Sequence, residues 1–280
     1  MKKITAISGL MICLMVLAFL ASCSSAGGGP LIRGKLQHNY GLSIDNTKVV
    51  ITVDSTSIKA DKRGYFYYRT EAGTHTVTAA YADTAKGLSL LYTGHVMVAN
   101  NELLDLTLYL RDSETTDAWA KYRQGDYTGA KSEFLALSNG PHGNDALNGL
   151  GWASWMMRQD YSEATLYFHD AVKDLRNVEA RIGLCGIELD RVNIEGNEAF
   201  GRAYQNMCLA LNEPDGFTTL PNHDAVKEGD MWALKALLGY VSGNEADAQY
   251  ILDNYSDKLA NETNAHGQDL LKVLESFMGK

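Results

Sequence analysis

The side chains with catalytic potential stand apart in this 280-residue chain. Its seven histidines (His38, His75, His95, His142, His169, His223 and His266) are scattered. None falls in the H-E-x-x-H arrangement that puts two imidazoles on one helix face around a metal. There is no G-x-S-x-G elbow and no phosphate-binding glycine loop. The one adjacent pair is His223 beside Asp224. With no nucleophile or third member nearby, it reads as a loop histidine beside a helix cap. The four cysteines, Cys13, Cys23, Cys185 and Cys208, form no C-x-x-C redox pair. No catalytic residue, cofactor or metal is therefore expected.

Cys23 carries the remaining chemistry. Lys2 and Lys3 open the chain, and residues 4–20 contain no acid or base. A run of about 17 residues is at the short edge for a spanning helix. The basic start, apolar middle and small residues before the cysteine fit a signal segment better. Leu20-Ala21-Ser22-Cys23 resembles the lipobox of bacterial lipoproteins. In that family the chain is cut before the cysteine, which carries lipid on its sulfur and on its new amino group. The resemblance implies lipidation at Cys23 and a lipid-anchored place in the bacterial cell envelope. Ser24, where an aspartate would resemble an inner-membrane retention signal, favours the outer membrane. Several acyl chains, at roughly 0.8 kcal/mol per buried methylene, suffice to hold a protein on a bilayer.

Cleavage before Cys23 removes residues 1–22 and leaves 258, room for two domains. Loss of Lys2 and Lys3 takes the formal charge from −9 to −11. A chain this acidic should not bind nucleic acid or anionic lipid through its bulk surface. Cys185 and Cys208 remain. An oxidising envelope permits a disulfide between them, and their apolar helical neighbours also suit free core thiols. Residues 23–30, ending Ala-Gly-Gly-Gly-Pro, read as a flexible lipidated tether.

From residue 31 to 110 the pattern has a period of two. Leu104, Leu106, Leu108 and Leu110 alternate with polar or aromatic neighbours, and so do Val49, Ile51 and Val53. Turn signals at Asp45-Asn46, Asp61 to Gly64, Ala72-Gly73 and Asn100-Asn101 divide about seven short strands, which predicts an antiparallel β-sandwich. Arg33-Gly34-Lys35, Val49 to Val53, Ala60 to Phe66 and Gly73-Thr74-His75-Thr76-Val77 resemble the carboxypeptidase-regulatory-like, transthyretin-like sandwich family. The resemblance implies an accessory or spacer module.

From residue 111 to 280 the period is helical, and the sequence repeats at an interval of 34. Asp126-Tyr127-x-x-Ala130-x-x-x-Phe134 recurs as Asp160-Tyr161-x-x-Ala164-x-x-x-Phe168, and Ala146-x-x-Gly149-Leu150 recurs as Ala180-x-x-Gly183-Leu184. A looser copy runs from residue 231 to 255. These residues resemble tetratricopeptide repeats, which implies an α-helical solenoid of paired helices. An extra turn is expected at residues 192–197, a long loop at 211–224 with Asp224 capping the next helix, and a capping helix at 266–277.

The first helix of each repeat lines a concave groove in that family. The alignment selects Trp119, Tyr122 and Arg123, then Met156 and Met157, then Ile187 and Arg191, then Tyr240 as a partner-binding surface, a composition common at interfaces. The fold class expected is thus multidomain β + α: an antiparallel sandwich followed by a tetratricopeptide-type solenoid. The function expected is a membrane-anchored scaffold for a protein partner. A rival reading is glycan binding by the sandwich through Tyr65, Tyr67 and Tyr68, although residues 31–110 contain no tryptophan.

Overall fold

The computed structural model describes residues 29–38, 44–158, 161–174, 177–212, 220, 222–223 and 225–279. Cys23 and Asp224 lie outside them. Among the described residues the first part of the chain forms seven strands: β1 (Leu31–His38), β2 (Val50–Val53), β3 (Thr56–Lys59), β4 (Tyr65–Arg69), β5 (Gly73–Asp83), β6 (Leu88–Val98) and β7 (Leu103–Asp112). Alternation sorts their side chains as expected. Ile32, Ile51, Val53, Phe66, Val77, Leu90, Leu108 and Leu110 form one core and are essentially unexposed.

The expected antiparallel sandwich does not form. The strands make one mixed sheet in the order β3-β2-β5-β6-β7-β1-β4. β1 and β7 run parallel, from Leu31 opposite Leu103 to His38 opposite Leu110. β5 and β6 form a long hairpin, whereas β6 and β7 meet only at Leu90–Asp112 and Leu91–Arg111. The edge strands β3 and β4 approach each other, so the sheet nearly closes around its core. The reason for the discrepancy is geometric. A period of two fixes which face a residue occupies but is the same for both strand directions. Gly34 is required where β1 crosses β4, because a Cβ there would lie 1.8 Å from the Phe66 ring.

Among the described residues ten α-helices follow: α1 (Thr116–Arg123), α2 (Tyr127–Leu137), α3 (Gly143–Met156), α4 (Tyr161–Ala171), α5 (Val178–Glu195), α6 (Asn197–Leu211), α7 (Glu228–Val241), α8 (Glu245–Asn254), α9 (Ser256–Asn261) and α10 (Ala265–Met278). From α1 to α9 each packs on the next, α10 packs on α7, and α3 also touches α1 and α5. Among the described residues no helix is long and apolar enough to cross a membrane. Short polar side chains start the helices: Asp126 accepts the Gly129 N–H at 2.9 Å and Asn177 the Ala180 N–H at 3.0 Å.

The 34-residue interval has a packing cause. Phe134, on α2, fills the space over Gly149 of α3, and Phe168, on α4, fills that over Gly183 of α5. The regular tetratricopeptide-type solenoid is nevertheless not what the helices establish. The extra turn expected at 192–197 is absent, since α5 runs on for 18 residues and Gly196 alone (φ 61°) joins it to α6. The helix expected after Asp224 starts at Glu228, where the Asp230 carboxylate accepts the Lys227 N–H at 2.8 Å. α7 then packs against α8, α9 and α10 together. From α5 onward two further cores form, one shared by α5, α6 and α7 and one by α7 to α10.

A Cβ at Gly149 would sit 2.3 Å from the Phe134 ring. Gly149→Ala should therefore lower unfolding free energy in urea by about 1–3 kcal/mol, and adding Phe134→Leu should recover part of that loss.

Candidate functional site

Two carboxylates are buried on the inner helices. Glu179, in the first turn of α5, is fully buried, and Asp145, in the first turn of α3, is 7% exposed. Burial of charge costs several kcal/mol unless donors surround it. Each Glu179 oxygen faces two. Asn148 and Asn222 donate their side-chain amides to Oε2 at 2.9 Å, and the Asn222 backbone N–H reaches Oε1 at 2.6 Å. His223 Nδ1 lies 3.3 Å from Oε1. Asn222 and His223 come from the segment between α6 and α7. Glu179 therefore ties that segment to α3 and α5 from inside.

An aromatic box closes around the His223 ring. Trp152 of α3 lies tilted over it at 4.1 Å between centroids, while Trp119 and Tyr122 of α1 meet it edge-on at 5.9 and 5.6 Å. Nε2 stands 3.4 Å from the Tyr122 hydroxyl. The segment is compact: His223 N–H donates to Leu220 O and Val226 N–H to His223 O. Leu220, 1% exposed, anchors it in the core between α5, α6 and α7. Trp152 Nε1 and Asn148 Oδ1 are buried in the wall without a hydrogen-bond partner among the described residues.

The electrostatics of the two acids diverge. Burial pushes Glu179 up, but the hydrogen bond and charge of His223 and the Asn222 donors outweigh it, and the carboxyl ionises below its ordinary range. Asp145 is pushed up to about 7, by burial first. The Thr115 hydroxyl at 2.5 Å and the Trp119 indole N–H at 3.1 Å oppose that rise, and the charges of Glu179 and Asp112 add to it. Burial likewise raises the Tyr122 hydroxyl far above its usual value. Asp112, at the end of β7 and 1% exposed, bonds His142 Nδ1 at 2.5 Å and the Glu114 N–H at 3.0 Å, so the sheet is joined to α3 next to this site.

The expected partner-binding residues divide into four groups. Trp119 (2% exposed) and Ile187 (fully buried) are core side chains, a correction of their placement on an open groove. A helical period puts residues on one face, but that face can meet a neighbouring helix as readily as solvent. Tyr122 is half-buried in the box. Arg123, Met156, Met157 and Arg191 lie at the C-terminal ends of α1, α3 and α5, with Arg123 and Met156 exposed and Arg191 Nη1 3.4 Å from Glu188. Beside them the Trp155 indole N–H donates to Asp190 at 2.8 Å. Tyr240 stands elsewhere, its hydroxyl donating to the Phe277 carbonyl at 3.0 Å.

Sequence reasoning passed over Glu179, Asp145 and Asn148 and read His223 only as a loop residue. One signal was available. Asp145 and Glu179 are themselves 34 apart, each immediately before the repeated Ala-x-x-Gly-Leu. An acid at the same helical position in two repeats, next to core alanines, marks a buried carboxylate in need of donors. Cys185 and Cys208 are free thiols, and burial pushes Cys185 up to about 12. Among the described residues no group of three or more His, Cys, Asp or Glu is placed to hold a metal ion. No family model and no curated protein matches the chain.

The high value of Asp145 sets the sign of a pH effect. An unfolded aspartate ionises near 4, whereas the folded one keeps its proton to about 7. Between those values the native state binds the extra proton, so stability falls as pH rises. Asp145→Asn keeps both acceptor contacts and removes the titration. Thermal melts from pH 5 to 8 should show a decline in the wild-type chain that flattens in the variant, worth on the order of a few kcal/mol at pH 8.

Proposed function

We propose that the chain is an envelope lipoprotein, anchored through lipid on Cys23, that acts as a scaffold by holding a protein partner along the inner face of its helix pairs. The observation that carries this reading is the packing of the chain's own segment on that face. A backbone N–H, an amide and an imidazole are received there by Glu179 and by the Trp119–Tyr122–Trp152 box. The helices thus offer what a peptide ligand needs: a buried acceptor for main-chain N–H and flat apolar walls for side chains. The part of this face left open lies at the C-terminal ends of α1, α3 and α5. There Arg123 and Met156 are exposed beside Trp155, Met157 and Arg191. An adaptable methionine beside arginine and tryptophan suits partner contact. Membrane tethering would raise the effective concentration of that partner at the surface.

Cys23→Ser should move the protein from the membrane fraction to the soluble fraction on cell fractionation; unchanged sedimentation with membranes would remove the lipid anchor from the reading. Recovery of tagged lipoprotein from detergent-solubilised native membranes tests the scaffold. Arg123→Glu with Met156→Asp should reduce a co-purifying protein about tenfold while the far-UV circular dichroism spectrum stays unchanged. The same set of proteins in equal amounts with both chains would overturn the assignment to this face.

A further inference from the structure

On the outer face of the sheet, β1 lies between β4 and β7, and alternate residues of the three strands form cross-strand rows. Tyr67, Arg33 and Asp105 make one row, and Tyr65, Lys35 and Thr107 the next. With Glu262, from the turn between α9 and α10, they wall a cleft of about 800 Å³. Phe66 takes the inward position of β4 and leaves Tyr65 and Tyr67 pointing out, 37% and 61% exposed. Two residues along a strand span about 6.8 Å, so the rings form two platforms able to address adjacent units of one ligand.

The polar groups beside the platforms are paired. Arg33 and Asp105 make a two-point ion pair, with Nη2 to Oδ2 at 2.6 Å and Nε on the other oxygen. The Lys35 ammonium lies 5.8 Å from the centre of the Tyr65 ring. Two cations, Arg33 and Lys35, face two carboxylates, Asp105 and Glu262, so the cleft carries no net formal charge.

We propose that this cleft binds a short neutral oligosaccharide. A sugar ring has a C–H face for an aromatic platform and a rim of hydroxyls for paired donors and acceptors. The cleft supplies both side by side, the tyrosine rings for the faces and the Arg33–Asp105 pair for a vicinal diol. An anion would need a cation that is not already committed, and Arg33 is held by Asp105. A peptide adding as a strand would use an open sheet edge, whereas both edges of β1, under the cleft, are paired. A volume of this size is that of a small-ligand site and fits a few sugar units.

This site is separate from the helical face proposed for a protein partner, and the test keeps them apart. Short malto-, cello-, xylo-, manno- and chito-oligosaccharides are titrated into the full-length lipoprotein in detergent by isothermal calorimetry, with a sulfated oligosaccharide and an unstructured peptide as controls. One neutral series should bind. Tyr67→Ala should weaken it about tenfold, and Arg33→Ala and Asp105→Ala should each weaken it also, with melting temperatures little changed. Met156→Asp should leave it intact, even where it abolishes partner recovery. The proposal is overturned by absence of binding to every neutral series at millimolar concentration. It is also overturned by unchanged binding to the Tyr67→Ala chain, or by binding confined to the sulfated or peptide control.

Discussion

The helical half depends on how one buried charge is satisfied. Glu179 is fully enclosed by protein, and an ion in that position is tolerated only when its lone pairs are filled. α3 supplies one donor through Asn148, and the segment before α7 supplies the rest through Asn222 and His223. Removing any of these leaves a buried acceptor short. The constraint therefore acts on tertiary structure: it fixes where the segment lies, and through Leu220 it fixes that segment against α5, α6 and α7.

The same charge shapes its surroundings. Asp145, one repeat earlier, meets only a hydroxyl and an indole donor, and it feels the negative field of Glu179 and Asp112. Two acids at equivalent repeat positions are thus shifted in opposite directions, Glu179 down and Asp145 up. Donor count decides between them, since both are buried. Asp112 carries the arrangement to the sheet, because its bond to His142 places the end of β7 against the start of α3.

Much of the local structure was legible in the sequence, and the long-range choices were not. Alternation located the strands, and the 34-residue recurrence located the helix pairs, because each is settled within a few residues or by one repeat interval. The parallel β1–β7 pair was invisible, since strand direction leaves no mark on alternation. The burial of Trp119 and Ile187 was invisible for the matching reason on helices. His223 was legible as a loop residue but not as the centre of an aromatic box, because its partners come from α1, α3 and α5, with the Tyr122 hydroxyl 101 residues away. The run of aromatics in β4 did not say which of them face inward. The strand has room for one inward row, and Phe66 and Tyr68 occupy it.

The repeat ends where a different polar logic takes over. At the start of α7, Glu228 and Asp230 are buried, as Asp145 and Glu179 are at the start of α3 and α5. Their donors come from the other direction: the Trp232 indole and Lys258 ammonium serve Glu228, and the Asn264 N–H reaches Asp230 at 2.7 Å. Gly229 makes this possible, since a Cβ would lie 2.6 Å from the Glu262 carbonyl, which instead accepts the Gly229 N–H at 3.1 Å. α7 is thereby covered by the turn around Glu262, and its face is lost to any ligand of the inner helices. The same clamp fixes residues 262–264 in place, so that Glu262 lines the cleft with Arg33, Lys35 and Asp105 and completes its charge balance. A buried acid pair on one helix thus both covers the inner side of α7 and holds the turn that carries Glu262 into the wall of the sheet's cleft.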